Sequence, residues 1–349
     1  MKPFLKIATL LSFATILISC NSNPIEPEPQ PGRRDYVWTV DTLNMPMNFI
    51  GAVWGSSPQD VWVVGAGGDS EDRLLHYDGA KWITYKNEPI LCAGNTLFGF
   101  SKNDVWMGGD NDGRIWHYDG TKWSENYRYI VEGSHNVGIY NIRGTQPNDV
   151  YACGIISYIV NGKDLWRGFI LHYDGYTWQE ILKVNFNSQF ISIRKEQNKV
   201  YVFGLRTSTT VSDTIAFYEL NGDQLKEIYS NSTDKIIFGN FNLIDKELYF
   251  LIGKDIYLFR GESFVKQFSV SLPNFWYYLF GRNSKDIFIS MRDGLAHFNG
   301  TDIQYLIKYN SIANKIIGGE PAFFDREIFC GFYDNNSSRN MILHGKLKE

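Results

Sequence analysis

Histidine and acidic residues recur along this chain at places where metal or acid–base chemistry could occur. Imidazole is a common zinc ligand, and paired carboxylates serve as general acids and bases. The histidines precede a Tyr-Asp-Gly or Phe-Asn-Gly segment or its counterpart near the end of the chain: His76, His117, His172, His297 and His344. The acids form a parallel series, which Lys199 interrupts: Asp60, Asp104, Asp149, Glu247, Asp286 and Glu327.

The elements that carry these residues form a repeat. An aromatic residue stands two positions after each of the six acids and after Lys199, at a period of roughly 40 to 50 residues, which is typical of four-stranded propeller blades. These aromatics are Trp62, Trp106, Tyr151, Tyr201, Tyr249, Phe288 and Phe329. Short apolar runs separated by turn signals such as Asp-Gly predict four strands, a to d, in each unit. Because one unit cannot bury its faces alone, we predict an all-β, seven-bladed β-propeller.

The seventh unit has no strand d of its own. The segment from Asp35 to Asp41 shows strand alternation but belongs to no other blade. We expect it to pair with residues 339–344 and close the ring, since closure protects exposed strand edges. The propeller domain is therefore predicted over residues 35–349.

The repeat itself argues against catalytic or metal-binding roles. One histidine per blade on the third strand lies on a wide ring, so the five cannot converge on one ion. Glu219 and Leu258 occupy the same position in blades four and five. We therefore expect histidines hydrogen-bonded between blades, and turn acids that accept nearby backbone amides. No catalytic residue, metal site or cofactor is predicted.

The amino terminus predicts export and a lipid anchor. Lys2 and Lys6 begin a short apolar stretch that ends at Leu17-Ile18-Ser19-Cys20, which is typical of a secretory signal over residues 1–19. The Cys after Leu-Ile-Ser resembles a bacterial lipobox, which implies lipidation of Cys20; an ordinary cleaved signal is the alternative. The proline-rich residues 20–34 predict an extended tether. We expect attachment to the bacterial cell envelope, at the outer membrane or cell surface, with membrane contact through the anchor only.

Composition and charge exclude other classes. Loss of residues 1–19 would remove two lysines from the 34 basic residues and none of the 38 acids, which leaves a net charge of about −6. Such a chain lacks the basic field that nucleic-acid binding requires. Cys92, Cys153 and Cys330 are sparse, so we expect buried thiols and no disulfide framework. A monomer is expected.

The variable connections hold the candidate binding residues. The a–b and c–d turns are short and alike, whereas the b–c and d–a connections vary in length and should share the opposite end of the ring. Long segments are expected at 125–138, 155–168 and 271–276. Tyr, Trp and Arg dominate contact energies in binding surfaces, and variable loops commonly carry function. The candidates are Tyr127, Tyr129, Tyr158, Trp166, Arg167, Phe275 and Trp276; alternatively, these aromatics only plug the mouth of the ring.

The first three units also carry a family resemblance. The segments Trp54-Gly55-Ser56-Ser57-Pro58-Gln59-Asp60-Val61-Trp62 and Leu75-His76-Tyr77-Asp78-Gly79-Ala80-Lys81-Trp82 resemble the units of exported bacterial propeller proteins. They are more distantly similar to the Asp-box hairpins of sialidase-like propellers, although Gly79 directly follows Asp78 here. The resemblance implies seven blades.

We therefore expect a non-catalytic binding or assembly platform for an envelope protein, peptide or glycan. The alternative is a carbohydrate-active enzyme, a glycoside hydrolase or lyase, because propellers support many activities. Against it, the sequence suggests no arginine cluster for a carboxylated sugar and no acid pair.

Overall fold

The computed structural model describes residues 29–43, 49–66, 74–85, 93–110, 112–183, 187–206, 214–231, 239–309, 315–317, 319–334 and 337–349. The predicted signal segment, Cys20, most of the tether and Cys92 lie outside these ranges. Every regular element within them is a β-strand. Accordingly, the described residues contain no apolar helix of membrane-spanning length.

Six blades are four-stranded antiparallel sheets with strands in chain order from the inside outward. Blade one contains β2 (Phe49–Ser57), β3 (Asp60–Ala66), β4 (Leu74–Tyr77) and β5 (Trp82–Thr84). Blade two contains β6 (Ala93–Ser101), β7 (Asp104–Asp110), β8 (Arg114–Tyr118) and β9 (Trp123–Arg128). Blade three contains β10 (Asn136–Gln146), β11 (Asp149–Val160), β12 (Lys163–Tyr173) and β13 (Trp178–Lys183).

The later blades keep this order despite their weaker sequence repeat. Blade four contains β14 (Ser188–Glu196), β15 (Lys199–Arg206), β16 (Thr214–Asn221) and β17 (Gln224–Ser230). Blade five contains β18 (Gly239–Ile244), β19 (Glu247–Ile252), β20 (Asp255–Arg260) and β21 (Ser263–Ser269). Blade six contains β22 (Phe275–Asn283), β23 (Asp286–Met291), β24 (Gly294–Phe298) and β25 (Ile303–Lys308).

Blade seven joins the two ends of the chain, as predicted. Its outermost strand is β1 (Tyr36–Leu43), which pairs antiparallel with β29 (Arg339–Leu347), so that Tyr36 faces Leu347. Next inward lies β28 (Glu327–Asp334), and the innermost position holds two short pieces, β26 (Lys315–Ile317) and β27 (Ala322–Phe323). The seven-bladed, all-β fold closed by the amino-terminal strand is thereby confirmed.

The repeated aromatics of strand b form the packing layer between blades. Trp62 meets Trp123 of the next blade edge to face, with ring centroids 5.5 Å apart, and Trp106 meets Trp178 in the same way at 5.6 Å. Both strand b tryptophans are buried. Such aromatic pairs bury large apolar areas in a preferred geometry, which explains why the position stays aromatic in all seven units.

The ring has two ends of different character. The a–b and c–d turns lie at one end, which we call the regular rim; its a–b turns in the first six blades contain only two residues between strands. The b–c and d–a connections reach the opposite end, which we call the variable rim. There the connection between blades two and three spans residues 129–135, whereas that between β19 and β20 contains only two residues.

The chain enters the propeller at the regular rim of blade six. The Gly32 backbone N–H donates to the Lys285 carbonyl at 2.8 Å, and the Arg34 guanidinium bonds the Asp302 carboxylate at 2.7 Å. A Cβ at position 32 would lie 2.5 Å from a carboxylate oxygen of Asp286, so only glycine fits at this close approach. The last residues of the predicted tether are thus part of the folded body.

The two described thiols are free and buried, as predicted. Cys153 belongs to blade three and Cys330 to blade seven, and neither forms a disulfide. Burial raises the pKa of both thiols. They behave as small apolar residues of the core.

Candidate functional site

The recurrent histidines form a structural device of the regular rim. The imidazole Nε2 of each lies at hydrogen-bond distance from the carboxylate of the turn acid of its own blade, and each ring packs on the strand b aromatic. The His–acid distances are 2.6 Å for His76–Asp60, 2.8 Å for His117–Asp104, 3.0 Å for His172–Asp149, 2.7 Å for His297–Asp286 and 2.7 Å for His344–Glu327. The prediction of hydrogen bonds between blades was wrong: antiparallel pairing of strands b and c places the histidine beside the acid at the start of strand b.

The blades without histidine replace this contact by other ion pairs. In blade four the charges are exchanged, because Lys199 stands at the acid position and its ammonium bonds the buried Glu219 carboxylate at 3.1 Å. In blade five Glu247 pairs with Arg260, two residues beyond the apolar Leu258. The contact between the a–b turn and strand c is therefore preserved by charge complementarity and not by the imidazole itself.

This arrangement also explains the acidic series. Burial opposes ionisation of Asp60 and Asp286, but hydrogen bonds with their histidines and with further donors outweigh it and lower the pKa of both carboxyl groups. Asp286 also accepts from Arg282. The described residues contain no group of three or more His, Cys, Asp or Glu side chains arranged to hold a metal ion.

The segment 155–168 is a hairpin, not the long loop that we expected. Strands β11 and β12 continue to Val160 and from Lys163, joined by Asn161 and Gly162 with φ values of 52° and 72°. Positive φ at both residues is the signature of a tight hairpin turn, for which Asn-Gly is the preferred sequence. The hairpin extends the two middle strands of blade three beyond the variable rim.

Pleating divides the candidate residues of this hairpin between its two faces. Residues directly opposite in an antiparallel pair share a face, and successive residues alternate. Ile156 pairs with Arg167, and Ser157 pairs with Trp166. Tyr158 and Arg167 therefore share one face, while Trp166 lies on the other, where its backbone N–H donates to the Asn187 side chain at 3.0 Å.

On the face that carries Arg167, residues of two blades form a polar groove. The Arg167 guanidinium bonds the Glu180 carboxylate at 2.7 Å and the Tyr129 hydroxyl at 3.3 Å. Burial opposes the charge of Arg167, but hydrogen bonds to Tyr158 and Glu180 outweigh it and raise the pKa of the guanidinium. We call this the Arg167 groove; it has a volume of about 420 Å³ and is lined by Tyr129, Ile130, Val131, Glu132, Tyr158, Arg167 and Glu180.

Exposed apolar side chains border the groove. Ile130 is 75% exposed on the connection from blade two, and Val160 is 47% exposed near the hairpin tip, on the face that carries Tyr158 and Arg167. Ile159 is also exposed, but the alternation of side chains places it on the opposite face of the hairpin. Scattered apolar residues are normal on a surface, but two large aliphatic side chains beside one polar groove resemble the mixed composition of binding surfaces.

Three other candidates lie elsewhere. Tyr127 stacks on Trp178 with ring centroids 6.4 Å apart, so its ring contributes to packing between blades two and three. Phe275 is buried in the core of blades five and six, beyond the reach of a partner. Trp276, its neighbour, lines the central cavity of the ring.

The central cavity has a volume of about 360 Å³ and is lined by the innermost strands of blades one to six and by Gly319 and Glu320 of blade seven. Because strand a starts at the variable rim and most lining residues lie in its first half, the cavity occupies that end of the channel. Its aromatic residues are Phe49, Tyr140, Phe241, Trp276, Tyr278 and Phe280. Its polar residues are Asn95, Thr96, Asn141, Ser192, Asn240, Asn242, Arg143, Arg194 and Glu320.

Two arginines converge in this cavity, which corrects the expectation that the chain has no arginine cluster. Arg143 of blade three and Arg194 of blade four each bond one oxygen of the Glu320 carboxylate. Glu320 belongs to blade seven, which faces blades three and four across a seven-membered ring. The three side chains thus span the channel.

The two guanidinium groups are held by further contacts. Arg194 is 5% exposed and donates to Asn141 at 2.7 Å and to Asn242 at 3.0 Å. Burial lowers the pKa of Arg194 to about 10 and lowers that of Arg143, where the nearby second guanidinium adds to the effect. The Glu320 carboxylate bonds both guanidinium groups but compensates only one of their two charges, so the three residues together carry one net positive charge at neutral pH.

A backbone irregularity positions the aromatic side of the cavity. On β22, Phe275 pairs with Met291 and Leu279 with Ile289, so two extra residues are inserted opposite β23. Tyr277 within this bulge has φ of 61°, which costs a bulky residue about 1 to 3 kcal/mol. Bulges of this kind redirect side chains near functional sites, and here Trp276 and Tyr278 reach the cavity.

Sequence reasoning missed Arg143, Arg194 and Glu320 because they lie roughly 50 and 125 residues apart along the chain. Arg143 and Arg194 do occupy equivalent places in their blades. Arg143 lies eight residues before the strand b aromatic Tyr151, and Arg194 lies seven residues before Tyr201. Aligning the repeats would have placed both on strand a of adjacent blades. No comparable signal marks Glu320, which lies between β26 and β27, where the innermost strand of blade seven is interrupted.

Comparison with known proteins supports the fold. No family model and no curated protein sequence matches the chain. Among solved structures, streptogramin B lyase superimposes with a TM-score of 0.62 at 16% identity, covering 89% of this chain and 98% of the lyase. The extracellular domain of the candidate one component system BT4673 from B. thetaiotaomicron gives a TM-score of 0.55 at 13% identity, covering 88% of this chain and 40% of that one. At these identities the likeness defines the class of the protein, a β-propeller, and no more.

Proposed function

We propose that this chain is a lipid-anchored envelope protein that binds a partner protein or peptide, without catalysis, through its variable rim. The observation that carries the proposal is the Arg167 groove. It brings Tyr129 from one connection together with Tyr158 and Arg167 from the hairpin of the next blade, beside the exposed Ile130 and Val160. Aromatic and arginine anchors bordered by aliphatic side chains are typical of protein-binding surfaces.

The rigidity of the groove supports this role. Arg167 is fixed by Glu180, and the Tyr129 ring packs on Phe169 with centroids 4.9 Å apart. Side chains that are already held in place lose little conformational entropy when a partner binds. The groove can therefore bind without the ordering cost of a flexible loop.

The entry point of the chain supports an orientation for the proposed anchor. Gly32 and Arg34 fix residues 29–35 to the regular rim of blade six. Eight residues lie between Cys20 and Pro29 in the sequence, and an extended proline-rich segment of nine residue steps would span about 30 Å. If Cys20 is lipidated, the regular rim faces the membrane and the Arg167 groove faces away from it, towards partners.

Site-specific photo-cross-linking in intact envelopes of the native host tests the binding surface. A photoreactive phenylalanine is placed at Val160, at the tip of the hairpin on the face of Arg167, or, as a matched control, at Tyr176, which is 92% exposed on the regular rim of the same blade. We expect a discrete cross-linked species from position 160, lost on Arg167→Ala, and none of that size from position 176. Equal cross-linking from both positions, or a species from 160 that Arg167→Ala leaves unchanged, would contradict the proposal.

The anchor is tested separately. Cys20→Ala should abolish incorporation of labelled palmitate and move the protein from the membrane fraction to the soluble fraction. A Cys153→Ala variant controls for loss of a thiol elsewhere. Membrane retention by Cys20→Ala would refute the lipid anchor while leaving the groove proposal intact.

A further inference from the structure

The central cavity is a second candidate site, on a different part of the variable rim from the Arg167 groove. The cavity is lined by strand a of blades one to six and by the interrupted inner edge of blade seven, whereas the groove is formed by the outer strands and connections of blades two and three. The two sites share no lining residue. Proposals about them can therefore fail independently.

The charges of the cavity favour an anion. Arg143 and Arg194 are the cationic groups among its lining residues, and Glu320 is the anionic one. One positive charge remains after their pairing. A ligand with a single carboxylate would neutralise it, and guanidinium groups bind carboxylates with good geometry.

Glu320 shows how such a carboxylate would be held. Its two oxygens each bond one of the arginines, so its side chain occupies the position that a ligand carboxylate would take. The Glu320 side chain is 32% exposed, whereas that of Arg194 is only 5% exposed. The Glu320 carboxylate is therefore the accessible member of this ion-pair cluster, and the arginines are the members that are held in place.

The backbone around Glu320 is constrained even though its side chain is accessible. Its carbonyl accepts the Val53 N–H at 3.1 Å. Gly319 has φ of 70°, and a Cβ there would lie 2.2 Å from the Gly51 carbonyl oxygen. Side-chain rotation of Glu320 would free the arginines without moving the chain.

The opposite lining favours a flat ligand. Trp276 and Tyr278 reach the cavity from the bulge in β22, and Tyr278 keeps 41% of its surface open. Tyr140 lines the cavity on blade three, near Arg143 in sequence. Aromatic faces bind flat apolar surfaces, and the surrounding asparagine amides supply hydrogen bonds for polar substituents.

We propose that the central cavity binds a small organic acid, in which one carboxylate bonds Arg143 and Arg194 in place of Glu320 and the apolar face of a ring lies against Trp276 and Tyr278. An aromatic acid and a sugar acid share this chemistry. The volume of about 360 Å³ suits a molecule of that size.

The test uses the full propeller labelled with 5-fluorotryptophan and observed by ¹⁹F NMR. Trp276→Phe identifies the resonance of Trp276 among the ten tryptophans. Benzoate and glucuronate are the acid probes, and benzamide and glucose are their neutral counterparts. We expect one acid to shift the Trp276 resonance with an affinity at least tenfold higher than its neutral counterpart, and the responding acid identifies the aromatic or sugar source.

Substitutions of the ion-pair cluster give the second measurement. Glu320→Gln should raise the affinity for the responding acid about tenfold and leave the neutral probe unchanged, while Arg143→Met should lower it at least tenfold; melting temperatures confirm folding. If Glu320→Gln does not fold, the comparison of acid and neutral probes on the wild-type protein decides. The proposal is overturned if neither acid shifts Trp276, since the cluster would then be only a structural tie, or if acid and neutral probes bind equally.

Discussion

The two rims of this propeller are built on opposite principles. At the regular rim, five blades repeat the same contact between a histidine and a turn acid, and blade four reproduces it with its charges exchanged. At the variable rim, the paired guanidiniums, the bulge and the long hairpin each occur in particular blades. Repetition marks positions that the fold requires in every blade, whereas departures from it mark positions that are free to serve binding.

The largest effect should come from the packing layer that both rims share. Trp106→Ala removes a buried ring that contacts Trp178 of the next blade and should lower the free energy of unfolding by about 3 to 5 kcal/mol. Chemical denaturation monitored by circular dichroism measures the change. A loss below about 1 kcal/mol would show that this layer does not hold the blades together.

A smaller effect on the free energy of unfolding should distinguish two copies of the contact between histidine and turn acid at the regular rim. In blade six, Gly32 covers Asp286 and the fully buried His297, whereas the Asp60–His76 pair of blade one is partly exposed. Asp286→Asn leaves Arg282 and His297 without a buried anion and should cost about 3 kcal/mol. Asp60→Asn should cost about 1 kcal/mol. Equal losses by chemical denaturation would mean that the amino-terminal segment contributes nothing to this contact.

The Asp286–His297 pair of blade six also predicts that the free energy of unfolding depends on pH. The pKa of Asp286 is lowered in the folded protein, so its stabilisation is fully present above pH about 4 and is lost as the pH falls through the folded-state pKa. The difference in unfolding free energy between wild type and Asp286→Asn should therefore narrow as the pH falls below about 4. A difference that stays constant as the pH is lowered would exclude the charge as its cause.

The smallest effect on stability should come from the variable rim. Ile130→Ser and Val160→Ser alter exposed side chains and should change the free energy of unfolding by less than about 0.5 kcal/mol. The same substitutions should reduce affinity for a captured partner by more than about 1 kcal/mol if these residues border the binding surface. Large destabilisation without loss of binding would assign them to the scaffold and remove the contrast between the rims.

The sequence predicted the scaffold well because its signals are local and repeated. The spacing of Trp62, Trp106 and their counterparts indicated the blades, and the strand pattern of residues 35–41 indicated the closing strand. The sequence predictions were wrong at two connections. Residues 155–168 form a tight hairpin with Asn161-Gly162 at its turn, and not the expected long loop. Phe275, which we expected on a connection, begins the inner strand of blade six.

What the sequence determined by itself was the ring: a period, an aromatic packing position and turn residues that any blade of this kind needs. Only the tertiary structure decided which side chains meet in the middle. Arg143, Arg194 and Glu320 come from three blades, and Tyr129 and Arg167 from two, so no local pattern links them. The physical reason is that a repeat encodes contacts between adjacent strands, whereas a channel contact depends on the closed circle, which brings opposite blades within reach of one another.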